Sequence, residues 1–141
     1  MSKYKIIFIS ALLSVILIIV LLFIFTKDGR ITSTKSEKII NQNLLTGNWV
    51  RTDYTYLIRV SKVNNDGTLD AKYFNPNPIN VESAGWEETY GNLKITVVLK
   101  DINYPGSKYT LNYLPDRDML AGDYYQAVEG INFYVEFVRS K

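Results

Sequence analysis

The chain changes its hydrophobic period once. It begins with a solid apolar block, and from Thr46 onward apolar and polar residues alternate. The block runs from Ile6 to Phe25 and is broken only by Ser10 and Ser14. Its 20 residues, at about 1.5 Å rise each, would span about 30 Å, the thickness of a hydrocarbon core. A cleavable signal peptide carries a shorter apolar region, about 7–15 residues, then a small-residue cleavage site. Here Thr26-Lys27-Asp28-Gly29-Arg30 comes directly after the block, and the nearest small cluster, Thr32-Ser33-Thr34, lies too far downstream. The pattern predicts an uncleaved signal-anchor helix in residues 1–25, contacting the lipid bilayer through residues 6–25.

Residues 26–45 read as a polar linker ending in a short helix. Ser36 can cap that helix, and Ile39, Ile40 and Leu44 lie at helical spacing. So short a helix is marginal alone and is expected to dock on the β domain. Residues 46–141 form one all-β domain. Runs rich in Val, Ile, Thr, Tyr and Phe are punctuated by turn residues about every 10–12 positions. Eight strands are predicted: Gly47 to Asp53, Tyr54 to Val63, Thr68 to Asn75, Ile79 to Tyr90, Leu93 to Ile102, Lys108 to Leu114, Met119 to Ala127 and Ile131 to Arg139. The turns include Asn64-Asn65-Asp66-Gly67 and Pro105-Gly106. Consecutive strands with short turns suit an antiparallel up-and-down barrel, which removes exposed edges. An immunoglobulin-like sandwich is the alternative, but it needs longer crossovers.

Charge follows the same division. Residues 1–45 carry six basic and two acidic residues, a net +4, whereas residues 46–141 carry ten and twelve, a net −2. A mildly acidic domain argues against a nucleic-acid partner. Basic residues flank the apolar block on both sides, at Lys3 and Lys5 and at Lys27, Arg30, Lys35 and Lys38, so the positive-inside rule does not choose an orientation. The short basic head is the layout of a signal-anchor, which places the β domain outside the cytoplasm, on the periplasmic side in a Gram-negative cell. The chain has no cysteine and no histidine. Thiol chemistry is therefore excluded, and the commonest general base and metal ligand are missing. No cofactor and no metal are expected.

Gly47-Asn48-Trp49 on the first strand and Arg139 at the end of the last resemble the signature of the calycin superfamily, which includes lipocalins, fatty-acid-binding proteins and avidins. The resemblance implies that the indole plugs the narrow end of the barrel, that a guanidinium stacks on its face, and that the preceding short helix covers that end. Gly47, Trp49 and Arg139 are thus expected to close the barrel. Within the group, LTGNW at 45–49 and NNDGTLDAKY at 64–73 look most like avidin. By position, Tyr73 and Asn75 stand where avidins have a biotin-contacting tyrosine and serine. Arg51 stands where they have an asparagine, and the tryptophans walling their pocket have no equivalents here. Residues 73–81, 99–113 and 118–139 are also similar to a family of bacterial proteins to which no activity is assigned.

The domain holds ten of the tyrosines and both tryptophans. Aromatics favour strands and fill cores, so many need no further role. The functional reading is a ligand cup lined by Tyr73, Tyr124 and Trp86, with polar groups from Arg51, Asn75 and Gln126. Strand parity carries it: Trp49 and Arg51 share a face, as do Leu69, Ala71, Tyr73 and Asn75, and likewise Leu120, Gly122, Tyr124 and Gln126. A single β-bulge would reverse the parity beyond it. The turns at 75–78 and 103–106 can rim an opening. Glu87 and Glu88 face opposite ways on a strand, and Asp116 and Asp118 read as turn formers, so no catalytic residue is assigned. Three functions remain. One is a membrane-anchored module binding a small, partly apolar molecule inside the barrel. Another is a protein-interaction or inhibitor domain with a filled barrel, using exposed aromatics such as Tyr125 and Tyr134. An enzyme has the least support.

Overall fold

The computed structural model describes residues 41–140. The predicted membrane segment and most of the predicted linker lie outside the described residues. Among the described residues no helix is long and apolar enough to cross a membrane.

Among the described residues a 3-10 turn over Gln42–Leu45 precedes the strands. The Asn41 side chain caps it, accepting from the Asn43 N–H at 3.1 Å. Within it Leu45 is the buried residue, and Leu44 stays 41 % exposed; Ile39 and Ile40 lie outside the described residues. The turn is committed by its backbone, because the Leu45 carbonyl accepts from the Trp49 indole at 2.9 Å and the Leu44 carbonyl from Arg139 at 2.7 Å.

All strand pairings are antiparallel. The strands are β1 (Gly47–Arg51), β2 (Leu57–Val63), β3 (Leu69–Asn75), β4 (Asn77–Ile79), β5 (Val81–Thr89), β6 (Asn92–Leu99), β7 (Lys108–Leu114), β8 (Met119–Gln126) and β9 (Ile131–Arg139). The sheet order is β4-β3-β2-β1-β9-β8-β7-β6-β5, so the meander curls until β1 lies against β9. Among the described residues the count is nine strands, not the eight expected. The added strand, β4, comes from Asn77 and Pro78 of the predicted turn and Ile79, the first residue of the predicted fourth strand; it ends at Asn80, whose N–H and side-chain amide both donate to the Asp101 carboxylate, at 3.1 and 2.6 Å. The piece before this anchor, β4, folds back on β3, pairing Asn75 with Asn77 and Tyr73 with Ile79. The piece after it, β5, pairs with β6.

The remaining seam, between β3 and β5, makes the barrel nearly closed. One bridge spans it, Thr68 to Gly85, supported by a hydrogen bond from the Trp86 N–H to the Gly67 carbonyl at 2.7 Å. Gly67 has φ +86°, the left-handed conformation the turn requires, which Asn-Asp-Gly supplies at little cost.

Two bulges shift the pairing, between Val60 and Lys62 on β2 and between Val81 and Ser83 on β5. On β2 the effect is visible directly, since Ile58, Val60 and then Val63 point inward. β6 keeps its phase, with Leu93, Ile95, Val97 and Leu99 all buried. Pairing is continuous along β8. The parity behind the proposed cup therefore survives on the strands that carry it.

Candidate functional site

The two ends of the barrel interior differ. At one end Trp49 is completely buried, with Arg139 stacked over its indole at 4.1 Å. The same guanidinium donates to the carbonyls of Leu44 and Thr46 and grips the Asp118 carboxylate at 2.7 and 2.9 Å. Gly47 has φ +150°, and a side chain there would run into the Arg139 guanidinium. Tyr113 meets Trp49 edge-on at 6.0 Å and donates to Asp118 at 3.0 Å. The Arg139 hydrogen bond holds the Asp118 carboxyl below its ordinary range. Gly47, Trp49 and Arg139 thus lie together, and Asp118, expected to be a turn former, is the counter-ion. Asp118 sits at φ +46°, so its turn conformation aims the carboxylate at Arg139.

At the other end the interior opens into a cavity of about 340 Å³. Five of the six candidate ligand residues line it: Arg51, Tyr73, Asn75, Tyr124 and Gln126. Trp86 does not. Its bulged strand lies at the seam, and its indole donates to the Asn64 carbonyl at 2.8 Å, pinning β5 to the β2–β3 turn. Tyr54, Tyr56, Tyr104, Tyr109, Phe133 and Asp53 complete the wall. Tyr109 was legible from parity, since it shares the inward face of β7 with Leu111 and Tyr113. Tyr104 comes from the Asn103-to-Gly106 turn expected to rim an opening, and its hydroxyl accepts from Asn75 at 2.6 Å. Tyr54, Tyr56 and Asp53 escaped because residues 52–56 form a loop where a strand was expected. The Arg51 N–H closes that loop on the Tyr56 carbonyl at 2.9 Å.

The rings form a continuous arc. Tyr54 stacks on Tyr56, Tyr56 meets Tyr73 edge-on, and Tyr73 contacts Tyr109 at 5.3 Å. Tyr109 stacks on Tyr124 at 4.4 Å, and Tyr124 reaches Phe133 at 6.4 Å. The Tyr73 and Tyr109 hydroxyls share a buried hydrogen bond of 2.8 Å. Burial pushes the phenols of Tyr73, Tyr109 and Tyr124 upward, so all three stay neutral and can donate. Burial opposes the Arg51 charge, but the hydrogen bond and the negative charge of Asp53 offset it, and its pKa is raised.

The remaining singled-out residues have local roles. Glu87 pairs with Lys94, and Glu88 accepts from the Gly91 N–H at 2.6 Å. Tyr134 is 68 % exposed on the outer face, and Tyr125 is partly exposed there. Among the described residues no group of three or more acidic side chains is placed to hold a metal ion. Comparison with protein-family models, with curated proteins and with solved structures found no match to this chain.

Proposed function

We propose that this chain is a membrane-anchored, extracytoplasmic binding module with a calycin-like barrel, whose cup holds a small, partly apolar molecule. The observation carrying this reading is the convergence of Arg51, Tyr73, Asn75, Tyr124 and Gln126 on one cavity, opposite an end plugged by Trp49 and Arg139. A concave, aromatic wall with a few polar groups is the usual form of a small-molecule site, and about 340 Å³ lies near the lower end of the usual range. The Gly47-Trp49-Arg139 arrangement supports the calycin likeness. The apolar block at residues 6–25 supports the anchor.

The test is a nuclear magnetic resonance titration of the full-length chain in a mild detergent against a panel of small aromatic and aliphatic compounds. Binders should move the resonances of Tyr73, Tyr109, Tyr124 and the Gln126 amide together. If no compound moves them, and a protein partner instead broadens Tyr125 and Tyr134, the outer face is the functional surface and the interaction-domain reading replaces this one.

A further inference from the structure

Among the described residues lining the cup, Arg51 is the only cation, and a carboxylate from the mouth already occupies it. Arg51 Nε donates to Asp53 Oδ1 at 2.7 Å and Nη2 to Oδ2 at 2.9 Å, a two-pronged grip matching carboxylate geometry. The two partners are unequally held. The Arg51 side chain is 8 % exposed and the Asp53 side chain 51 %. Arg51 is fixed on β1 opposite Phe137, with its guanidinium over the rings of Tyr54 and Tyr56 at 5.2 and 5.4 Å. Asp53 is a loop residue, and its carboxylate accepts from Arg51 and from no other described residue. The loop is tied down by the Arg51 N–H to the Tyr56 carbonyl and the Thr52 N–H to the Glu136 carbonyl, both at 2.9 Å. The Asp53 side chain can therefore swing into solvent without breaking either tie.

A buried guanidinium that loses its partner needs another of the same charge and shape. Asp53 marks where such a group sits. The rest of the wall is the arc of Tyr56, Tyr73, Tyr109, Tyr124 and Phe133, whose rings favour a flat aromatic body. We propose that the cup takes small planar aromatic carboxylates, and that Asp53 is a built-in competitor that the ligand's carboxylate displaces from Arg51. This deepens the binding-module reading and rests on it. Apparent affinity is then set by the fraction of molecules in which Asp53 has let go.

The experiment is isothermal titration calorimetry on the full-length chain in detergent with three probes: 2-naphthoate, its neutral counterpart 2-naphthamide, and cyclohexanecarboxylate. Asp53→Asn should tighten 2-naphthoate by at least about five-fold, since an ion pair worth about 1 kcal/mol no longer competes, and should leave 2-naphthamide unchanged. Arg51→Lys keeps the charge without the fork, and should lose most of the preference for 2-naphthoate over 2-naphthamide. Cyclohexanecarboxylate should bind at least about ten-fold more weakly than 2-naphthoate. Melting curves accompany each variant, with Asp53→Ser as the substitute should Asp53→Asn fail to fold. If 2-naphthoate binds no tighter after Asp53 is replaced, or the amide binds as well as the acid throughout, the carboxylate inference falls while the cup stands. Equal binding of cyclohexanecarboxylate removes the aromatic requirement and overturns the proposed class. If no probe binds any folded variant, the cup reading itself fails.

Discussion

Arg139→Lys tests whether the end of the barrel is held by charge or by the shape of the guanidinium. Arg139 makes four directed contacts: two with the Asp118 carboxylate and one each with the carbonyls of Leu44 and Thr46, while its flat face covers Trp49. An ammonium on a flexible stem is a point charge and cannot hold a forked carboxylate, two carbonyls and an aromatic face at once. The expected loss is one contact to Asp118 and at least one carbonyl, at about 1 kcal/mol net each, plus about 0.5–1 kcal/mol of cation–π attraction. The sum is about 2.5–3 kcal/mol. For a domain of this size, about 4–8 °C of melting temperature accompanies each kcal/mol, which gives a fall of about 10–24 °C. Thermal unfolding followed by circular dichroism reads the shift, and near-ultraviolet ellipticity reports whether Trp49 keeps its fixed surroundings. Asp118→Asn is the companion: it removes a half-exposed ion pair and should cost no more than about 1 kcal/mol. If Arg139→Lys melts within about 2 °C of the parent, the fork is dispensable and Trp49 is held by packing alone.

The Asp118 carboxyl has a folded-state pKa below its unfolded value, chiefly through the Arg139 hydrogen bond. Its stabilisation is therefore complete above the unfolded value and lost as pH falls through the folded one, so acid unfolding of Asp118→Asn should show a shallower loss below about pH 4. Tyr73 and Tyr109 have the opposite sign: burial raises both, so stability should decline as pH rises past about 10. Absorbance titration should show two phenols that ionise only with unfolding, and early ionisation of every tyrosine would show that the cup wall is wet. In Gly122→Ala the new Cβ would collide with the Thr110 carbonyl across the β7–β8 pairing. The expected cost is about 1–3 kcal/mol in urea unfolding, and an unchanged midpoint would show that the two strands have room to part.

The interior of the barrel was legible to the extent that period-two alternation is a local property. β1, β3 and β8 carry no bulge of their own, so Arg51, Tyr73, Asn75, Tyr124 and Gln126 could be assigned to one side of the wall from parity alone. β6 keeps the same alternation, with Leu93, Ile95, Val97 and Leu99 all buried. Trp86 shows where this stops, because it stands on a bulged strand beside the seam, and its indole is claimed by the Asn64 carbonyl, a residue 22 positions away.

Side-chain alternation and the turn chemistry at Asn64 to Gly67 and Pro105-Gly106 were enough to set the all-β class and the antiparallel meander. The meeting of Gly47, Trp49 and Arg139 at one end of the barrel was an expectation that came from the calycin resemblance. The tertiary structure alone decided the strand count: Asn77–Ile79 folds back on β3 as a short strand, and Asn80 beyond it is anchored to the Asp101 carboxylate of a distant loop. It decided which end is open, because the cavity needs the 52–56 loop and Tyr104 beside strands far from them in sequence. It also decided the partner of Arg51: the chain leaves β1 after that residue, and the Asp53 carboxylate returns to the guanidinium from the loop. Alternation assigns a side chain to a face. Where that face meets solvent, another ring or a counter-ion depends on elements whose approach no local pattern encodes.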